Sequence, residues 1–295
     1  MEGGPARPSG DVRAGTPGGR SDAPLLVITP RRSWAPARPA ELWAFRGVLA
    51  RLAARDVTLR YRQTVLGALW VIVQPLLGAG ILTFVFSRVA SLPAPAGVPY
   101  FVFSLAGMVA WTAFSQSVTR ASTSLVGNVA LVDKVFFPRL LLPLSALLST
   151  GVDVGVSLVL LLVLLPATGV GIGLPVLLLP AWLLLIGGLA MGVGLVSAAL
   201  AVRYRDVGYV VPVALQLALF ASPVAYSVAS VPRGSRAVFL ANPLCSLLEA
   251  VRWSTVGTPL PSGAALAYSS AAAAVVLAAG LAVFGRRERQ FADVI

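Results

Sequence analysis

Side chains that could carry out chemistry are few in this 295-residue chain. It has no histidine, a single cysteine (Cys245) and a single lysine (Lys134). A zinc or iron site is therefore not expected, an internal disulfide is excluded, and the commonest general base is missing. The lysine follows Asp133 rather than a glycine-rich loop, so no phosphate-binding loop is encoded. We expect no catalytic residue, no metal and no cofactor bound by this chain.

Asp153 is the one acid that lies deep within an apolar stretch. Acids inside a membrane commonly mark ion or proton pathways. The sequence offers no Lys, Arg or His at a comparable depth to partner Asp153, and a proton-driven transporter usually uses several such groups. We expect Asp153 to be protonated or bonded to a Ser or Thr of a neighbouring helix, with ion coupling as the less favoured role.

The composition places these residues in a membrane protein. Apolar residues make up 57% of the chain and charged residues only 12%, and the mean hydropathy is +0.86. Soluble domains carry about 25% charged residues, so this chain needs lipid around it. Because backbone groups in lipid must be paired within the segment, the long apolar stretches are predicted to be helices. They predict an all-α membrane protein with six transmembrane helices, at about residues 65–86, 100–117, 140–166, 174–202, 209–224 and 264–284.

The net charge of +12 predicts an orientation rather than nucleic-acid binding, because arginines flank the predicted spans instead of alternating with aromatics on one soluble face. With a cytoplasmic N-terminus, all but four of the 23 basic residues lie in inner segments. The four exceptions are Arg88, Arg233, Arg236 and Arg252. We expect both termini to be cytoplasmic.

Residues 1–40 are rich in Gly, Pro, Ala and Arg, and we expect a disordered basic tail without a signal peptide. From Pro39 and Glu41 the pattern predicts a helix with apolar residues at helical spacing from Leu42 to Leu52. Such a helix would lie in the membrane interface, with Asp56 and Arg60 paired. The interfacial residues of interest are Phe45, Arg51, Arg55, Arg60 and Arg62.

The predicted inner segment between spans two and three, residues 118–139, is too long for a tight turn. Leu125, Val129 and Val132 would form one side of a short helix across the cytoplasmic face, suited to docking a soluble partner. A solvated loop is an equally good interpretation of the spacing alone.

The predicted outer segment, residues 226–263, is more apolar than a linker. Asn242 is a good N-cap, Pro243 suits the first helical position, Glu249 is spaced to pair with Arg252, and Gly257 ends the helix. The pattern favours two short helices that form a re-entrant hairpin in the outer leaflet. Both a lid and a packing cap over the bundle fit this segment.

Aromatic residues cluster in the first two predicted spans. Aromatic planes can contact the apolar C–H faces of sugar rings, although an interfacial belt with core packing is the more usual role. The candidates for a substrate path are Trp70, Phe101, Phe103, Trp111 and Phe114.

Several motifs occur in order along the chain. They are Arg60–Trp70 followed by Gln74-Pro75, then residues 131–139 with Phe137-Pro138-Arg139, Arg203–Asp206, Ser222-Pro223, Asn242–Leu244 and Phe291–Ile295. Together they resemble the permease subunits of type-2 ABC exporters, in the group that exports polysaccharide, O-antigen and teichoic acid. The resemblance covers about residues 41–295, which would form one ABC-2 transmembrane domain.

The resemblance implies a homodimer of this permease in a bacterial inner membrane, with two copies of a separate ABC ATPase that bind ATP and Mg. Its substrate would be a lipid-linked polysaccharide of O-antigen, teichoic-acid or galactan type. Residues 41–62 would be the interfacial helix, and Asn242, Pro243, Glu249 and Arg252 would belong to an external gate. The ATPase coupling segment would contain Ser122, Leu125, Asn128, Val129, Asp133, Lys134 and Arg139.

Three alternatives stay open. An ABC-2 exporter of drugs or simple lipids is the nearest. A membrane-embedded glycan transferase would need acid–base groups at the membrane surface, and the acids there are sparse. A proton-coupled flippase is disfavoured by the isolated Asp153.

Overall fold

The computed structural model describes residues 39–62, 64, 67–92, 97–134 and 137–288 of the chain. These residues are helical and contain no strand, which confirms the all-α class. The helices are α1 (Pro39–Ala44), α2 (Arg46–Tyr61), α3 (Trp70–Thr83), α4 (Tyr100–Thr123), α5 (Val129–Lys134), α6 (Leu141–Ala167), α7 (Leu179–Ala201), α8 (Val207–Ala221), α9 (Arg233–Ala241), α10 (Pro243–Val256) and α11 (Gly263–Arg287).

Five helical segments of the described chain are long and apolar enough to cross a membrane. They match five of the six predicted spans and comprise Trp70–Val89, which ends in a π-helical segment at Phe84–Val89, Tyr100–Thr123, Leu141–Ala167, Leu174–Ala201 and Gly263–Arg287.

The fifth predicted span, residues 209–224, is not confirmed as a full crossing. It corresponds to α8, which has 15 residues and rises about 22 Å at 1.5 Å per residue. A typical hydrocarbon core is about 30 Å thick. The helix ends at Ala221, and the next residue, Ser222, has an extended conformation before Pro223.

The main core surrounds α4, which packs against α3, α6, α7, α8 and α10. Small residues allow the closest helix approaches. A Cβ on Gly280 of α11 would lie 2.8 Å from the Cα of Gly192 on α7, and a Cβ on Gly194 would lie 2.6 Å from that of Ala121 on α4. Small residues at such crossings let helix backbones come together in lipid, where apolar burial alone gives little driving force.

The predicted interfacial helix packs against a second hydrophobic core at one end of the bundle. Its buried residues come from the segment after α4, from α2 and α5, and from α6, α7 and α11. Leu52 of α2 is buried there, and Leu42, Phe45 and Leu49 pack against the cluster. Part of the predicted apolar stripe therefore packs on the bundle, whereas Val48 of α2 is 39% exposed, and the helix breaks at Phe45 between α1 and α2.

The outer segment contains two short helices, as predicted. The Asn242 side chain accepts a hydrogen bond from the Leu244 N–H at 3.0 Å, Pro243 opens α10, and Gly257 ends it with φ 72°. This φ lies in the left-handed region that favours glycine. The prediction of a disordered tail over residues 1–40 falls outside the described residues except at the start of α1, as does the motif Phe291–Ile295.

Candidate functional site

Asp153 lies at the centre of a polar cluster built from three helices. Both Arg60 of α2 and Arg120 of α4 donate to its Oδ2, and the distance from Arg120 is 2.7 Å. Tyr61 donates to Oδ1 at 2.8 Å. Ser149 and Thr150, on the preceding turn of α6, accept from Arg60 and Arg120 at 3.2 and 3.0 Å. One carboxylate is thus shared by two guanidinium groups and a phenol.

This arrangement corrects two sequence-based expectations. Asp153 was expected to lack a charged partner, but α4 runs antiparallel to α6 and brings Arg120 to its depth, and the end of α2 brings Arg60. Asp56 was expected to pair with Arg60. It pairs instead with Arg55 at 2.9 Å and accepts from Ser145 at 3.1 Å, because Arg60 turns toward α6.

A cavity of about 670 Å³ opens beside this cluster. Its wall includes the cluster residues, Trp70, Gln74 and Pro75 of α3, and Thr112, Ser115 and Gln116 of α4. The side chains of Arg60 and Arg120 are 24% and 21% exposed, and that of Asp153 is 11% exposed. The arginines are therefore accessible to a ligand, and the carboxylate, which also lines the cavity, is less exposed than either of them.

Tyr61 holds its proton in this setting. Burial raises the pKa of Tyr61 above its ordinary value because desolvation disfavours the phenolate, and the hydrogen bond to Asp153 acts in the same direction against the opposing effect of Arg60. The neutral phenol can therefore serve as a donor to the carboxylate at physiological pH.

The same helix α2 also contacts the predicted coupling segment. Arg55 donates to the Asn128 side-chain oxygen at 2.8 Å, and the Asn128 amide donates to the Ser124 carbonyl at 2.9 Å. Arg55 lies one turn before Arg60. Within ten residues, α2 therefore bonds to both the coupling segment and the polar cluster.

The coupling segment folds as a helical turn at Val126–Asn128 followed by α5. Leu125 and Val132 are buried and Val129 is half-buried, so the apolar side of this segment packs on the bundle. Ser122 is also buried and donates to the Thr119 carbonyl at 2.7 Å. The side chains of Asp133 and Lys134 fall outside what the structure describes.

The three remaining predicted residues, Arg139, Arg51 and Arg62, differ in their contacts and exposure. Arg139 bonds to Glu288 at the end of α11, through its backbone N–H at 3.3 Å and through its guanidinium group. Arg51 and Arg62 are exposed, and the Arg62 N–H closes α2 by donating to the Thr58 carbonyl at 3.0 Å.

A second arginine site lies on α10, in the predicted outer segment. Arg252 of α10 is fully buried, with its guanidinium carbon 4.0 Å from the centre of the Phe103 ring. It donates to the Val224 and Tyr226 carbonyl oxygens and lies 3.6 Å from Glu249, the predicted pair. Glu249 also accepts from the Val228 N–H at 3.0 Å. These bonds fasten the hairpin to the segment after α8.

The structure divides the five aromatic candidates between these two regions. Trp70 and Trp111 line the cavity at the polar cluster, and Trp111 contacts the buried ring of Phe114. Phe103 borders a separate outer cavity of about 650 Å³ together with Tyr100, Tyr226 and Glu249, and Phe101 is half-buried. Their assignment to a substrate path stays a prediction.

Sequence reasoning missed the shared carboxylate because the three partners are far apart along the chain. One usable signal was present on α4, where Thr112, Gln116 and Arg120 recur at intervals of four residues. Polar residues inside a membrane helix usually face the protein interior or a water-filled cavity. Interpreted in this way, the pattern would have indicated the cavity wall.

Several apolar helices of membrane-spanning length in the described part of the chain indicate a multi-pass membrane protein, with a polar cavity beside them. Residues 48–256 match the family model described as ABC-2 type transporter. The chain belongs to this family. Membership implies that it works in the membrane with an ABC ATPase and that it is a transport subunit rather than an enzyme.

Three relatives carry the name O-antigen export system permease protein RfbA. The protein from Myxococcus xanthus is 31% identical over 257 residues, covering 86% of this chain and 98% of the relative. Two proteins from Klebsiella pneumoniae are 27% and 24% identical, and each alignment covers 84% of this chain and 95% of the relative. The similarity therefore extends over nearly the whole length of these permeases.

Proposed function

We propose that this chain is the permease subunit of an ATP-driven exporter that moves lipid-linked polysaccharide, of O-antigen, teichoic-acid or galactan type, from the cytoplasm to the outer face. The names of its three relatives and the near-complete coverage support this substrate class. A glycan cannot cross hydrocarbon unaided, since its hydroxyl groups would lose their hydrogen bonds to water.

The observation that carries the proposal is the double attachment of α2. Arg55 bonds to Asn128 in the coupling segment, and Arg60 and Tyr61 bond to Asp153 at the cavity. A displacement of the coupling segment by an ATPase would therefore be passed through α2 to the cavity wall. This gives one rigid helix the role of linking ATP hydrolysis to the substrate region.

The proposed assembly is a homodimer of this permease with two ABC ATPase subunits, which hold ATP and Mg, in a bacterial inner membrane. Six spans would result if α8 crosses part of the membrane as a short helix, since its side chains are largely exposed and apolar. Both termini would be cytoplasmic. Helices α9 and α10 would form an external gate that includes Asn242, Pro243, Glu249 and Arg252.

Depletion of the protein in its host tests the proposed function. Lipid-linked glycans on each membrane face would be quantified before and after depletion. We expect one polymer to accumulate inside and to disappear from the surface, which would also identify the substrate. No change in any glycan would contradict the proposal and favour an ABC-2 exporter of drugs or simple lipids.

Coupling is tested separately with the purified permease–ATPase complex. Replacing Asn128 by Ala removes the acceptor of Arg55, and we expect transport per ATP hydrolysed to fall several-fold while the complex stays assembled. The matched control is Thr123→Ala, an exposed residue of the same region whose hydroxyl bonds only to its own helix. Equal transport in both variants would contradict the role of α2.

A further inference from the structure

The polar cluster carries an excess of positive charge. Two guanidinium groups share one carboxylate, and Tyr61 adds a neutral donor. The formal charges of these described side chains therefore sum to one positive charge. An uncompensated charge beside a membrane span is costly unless water or a ligand solvates it.

The arginines also keep donors available for a ligand. Among the described residues, both hydrogen bonds of the Arg120 side chain use one terminal nitrogen, which donates to Thr150 and Asp153. A guanidinium group has five N–H donors in a planar fork. Arg60 and Arg120 are each about a quarter to a fifth exposed beside the cavity of about 670 Å³.

A polar strip extends from this charge along one side of α4. Thr112, Gln116 and Arg120 are spaced four residues apart and all line the cavity, over about 12 Å at 1.5 Å per residue. Gln74 of α3 lines the same cavity. Amide and hydroxyl groups in such a strip can exchange hydrogen bonds with the hydroxyl groups of a ligand.

Trp70 and Trp111 also line this cavity. Indole rings provide an apolar surface with one N–H donor, a combination that suits the mixed faces of a sugar ring. The cavity thus combines two guanidinium groups with hydroxyl- and amide-bearing side chains and with aromatic rings.

We propose that Arg60 and Arg120 bind the phosphate group of an amphiphilic phospho-sugar, whose first sugar lies along Thr112, Gln116 and Gln74. The proposal rests on the proposed function and names the part of the lipid-linked glycan that this cavity takes. Arginine forks match phosphate oxygens in a bidentate geometry. Asp153 orients both forks and opposes the anion, which keeps binding reversible.

Two other roles for the cluster fit less well. A proton pathway usually uses several acidic or basic groups in series, but Asp153 is the one carboxylate among the described residues that line this cavity. A purely structural ion pair would be expected to exclude water, as Arg252 does with 0% exposure, whereas Arg60 and Arg120 are accessible.

Binding to the purified full-length permease in uncharged lipid nanodiscs tests the proposal. The probes are dodecyl phosphate, inorganic phosphate and dodecyl maltoside, and titration calorimetry measures each affinity. We expect Arg60→Gln and Arg120→Gln to weaken dodecyl phosphate binding by roughly 10- to 100-fold, since each removes charged hydrogen bonds. Asp153→Asn should tighten binding by about threefold or more, because the opposing charge is removed.

Arg205→Gln serves as the matched control, since Arg205 is an exposed arginine outside the cluster and should leave the affinity unchanged. Arg120→Lys, which keeps the charge but loses the fork, should bind with intermediate affinity. Thermal unfolding of each variant shows which variants fold. If Asp153→Asn does not fold, the affinities of the arginine variants alone test the site.

Binding of dodecyl phosphate but not of inorganic phosphate would support a lipid headgroup as the source, and equal binding of both would support a phosphate site that accepts the free ion. Equal binding of dodecyl phosphate and dodecyl maltoside, or the same loss for Arg205→Gln as for Arg120→Gln, would overturn the site. Because glycan export is not measured, this result is independent of the depletion experiment.

Discussion

The two arginine sites of this chain use similar groups in opposite ways. Arg252 is fully buried, stacked on Phe103 and bonded to two carbonyl oxygens beside Glu249. Arg60 and Arg120 instead share one carboxylate and remain accessible from a cavity. A fully buried arginine whose hydrogen bonds all go to the protein holds segments together. Two partly exposed arginines that share a single carboxylate are instead suited to binding an anion.

The largest effect is expected from Arg252→Met. Removing the guanidinium group leaves Glu249 and the Val224 and Tyr226 carbonyl oxygens without that partner, and breaking a buried ion pair costs about 3–5 kcal/mol. Thermal unfolding in detergent measures the loss, and the folded yield should fall with it. If the variant is as stable as the wild type, the Arg252 site does not stabilise the fold.

Gly107→Ala tests the same site from α4. A Cβ there would clash with the Val224 carbonyl oxygen and the Arg252 guanidinium group, so we expect about 1–3 kcal/mol of destabilisation. Gly151→Ala is the matched control, because nothing lies within 4 Å of a Cβ at that exposed position of α6. Equal melting temperatures for Gly107→Ala and Gly151→Ala would show that the close packing at Gly107 does not contribute to stability.

At the open site, Arg120→Gln should lower stability by less than the change at Arg252, because its charge is partly solvated and Arg60 still pairs with Asp153. We expect the variant to fold and to lose most of its glycan export. Surface glycan in a depleted host complemented with each variant provides the measurement. Normal export by a folded Arg120→Gln protein would exclude a functional role for the cavity charge.

The smallest effect is expected from Tyr61→Phe. It removes one neutral donor to Asp153 while both arginines remain, so a loss of about 1 kcal/mol or less is expected in stability. Export should be reduced by less than in Arg120→Gln. A larger loss than at Arg120 would mean that the phenol, not the charge, is the essential group.

Local patterns in the sequence predicted the features that depend on near neighbours. The apolar stretches predicted five of the long helices, and Asn242, Pro243 and Gly257 predicted the bounds of α10 because caps act within a few residues. The spacing of Leu125 and Val132 predicted an apolar side of the coupling segment, but it did not predict what that side packs against, and both residues are buried in the structure. The fifth predicted span, residues 209–224, was already short for a full crossing, and α8 has 15 residues and ends at Ala221, directly before Ser222-Pro223.

Long-range pairing could not be predicted in the same way. Arg60 and Asp153 are 93 residues apart, and their contact depends on how α2 packs against α6. The i,i+4 rule favoured Asp56 as the partner of Arg60, but tertiary packing overrode this weak local pairing. Only the polar spacing on α4 pointed to the cavity, and its partners lie on other helices.

The contrast between a closed and an open arginine site is tested most directly by measuring export and folded yield together for Arg120→Gln and Arg252→Met. The account predicts that Arg120→Gln retains a near-normal folded yield but loses export. It predicts that Arg252→Met lowers the folded yield, and that export falls only in proportion to that yield. If both variants lose folded yield alike, and export per folded molecule stays normal in each, then both arginines are structural and the open site has no part in transport.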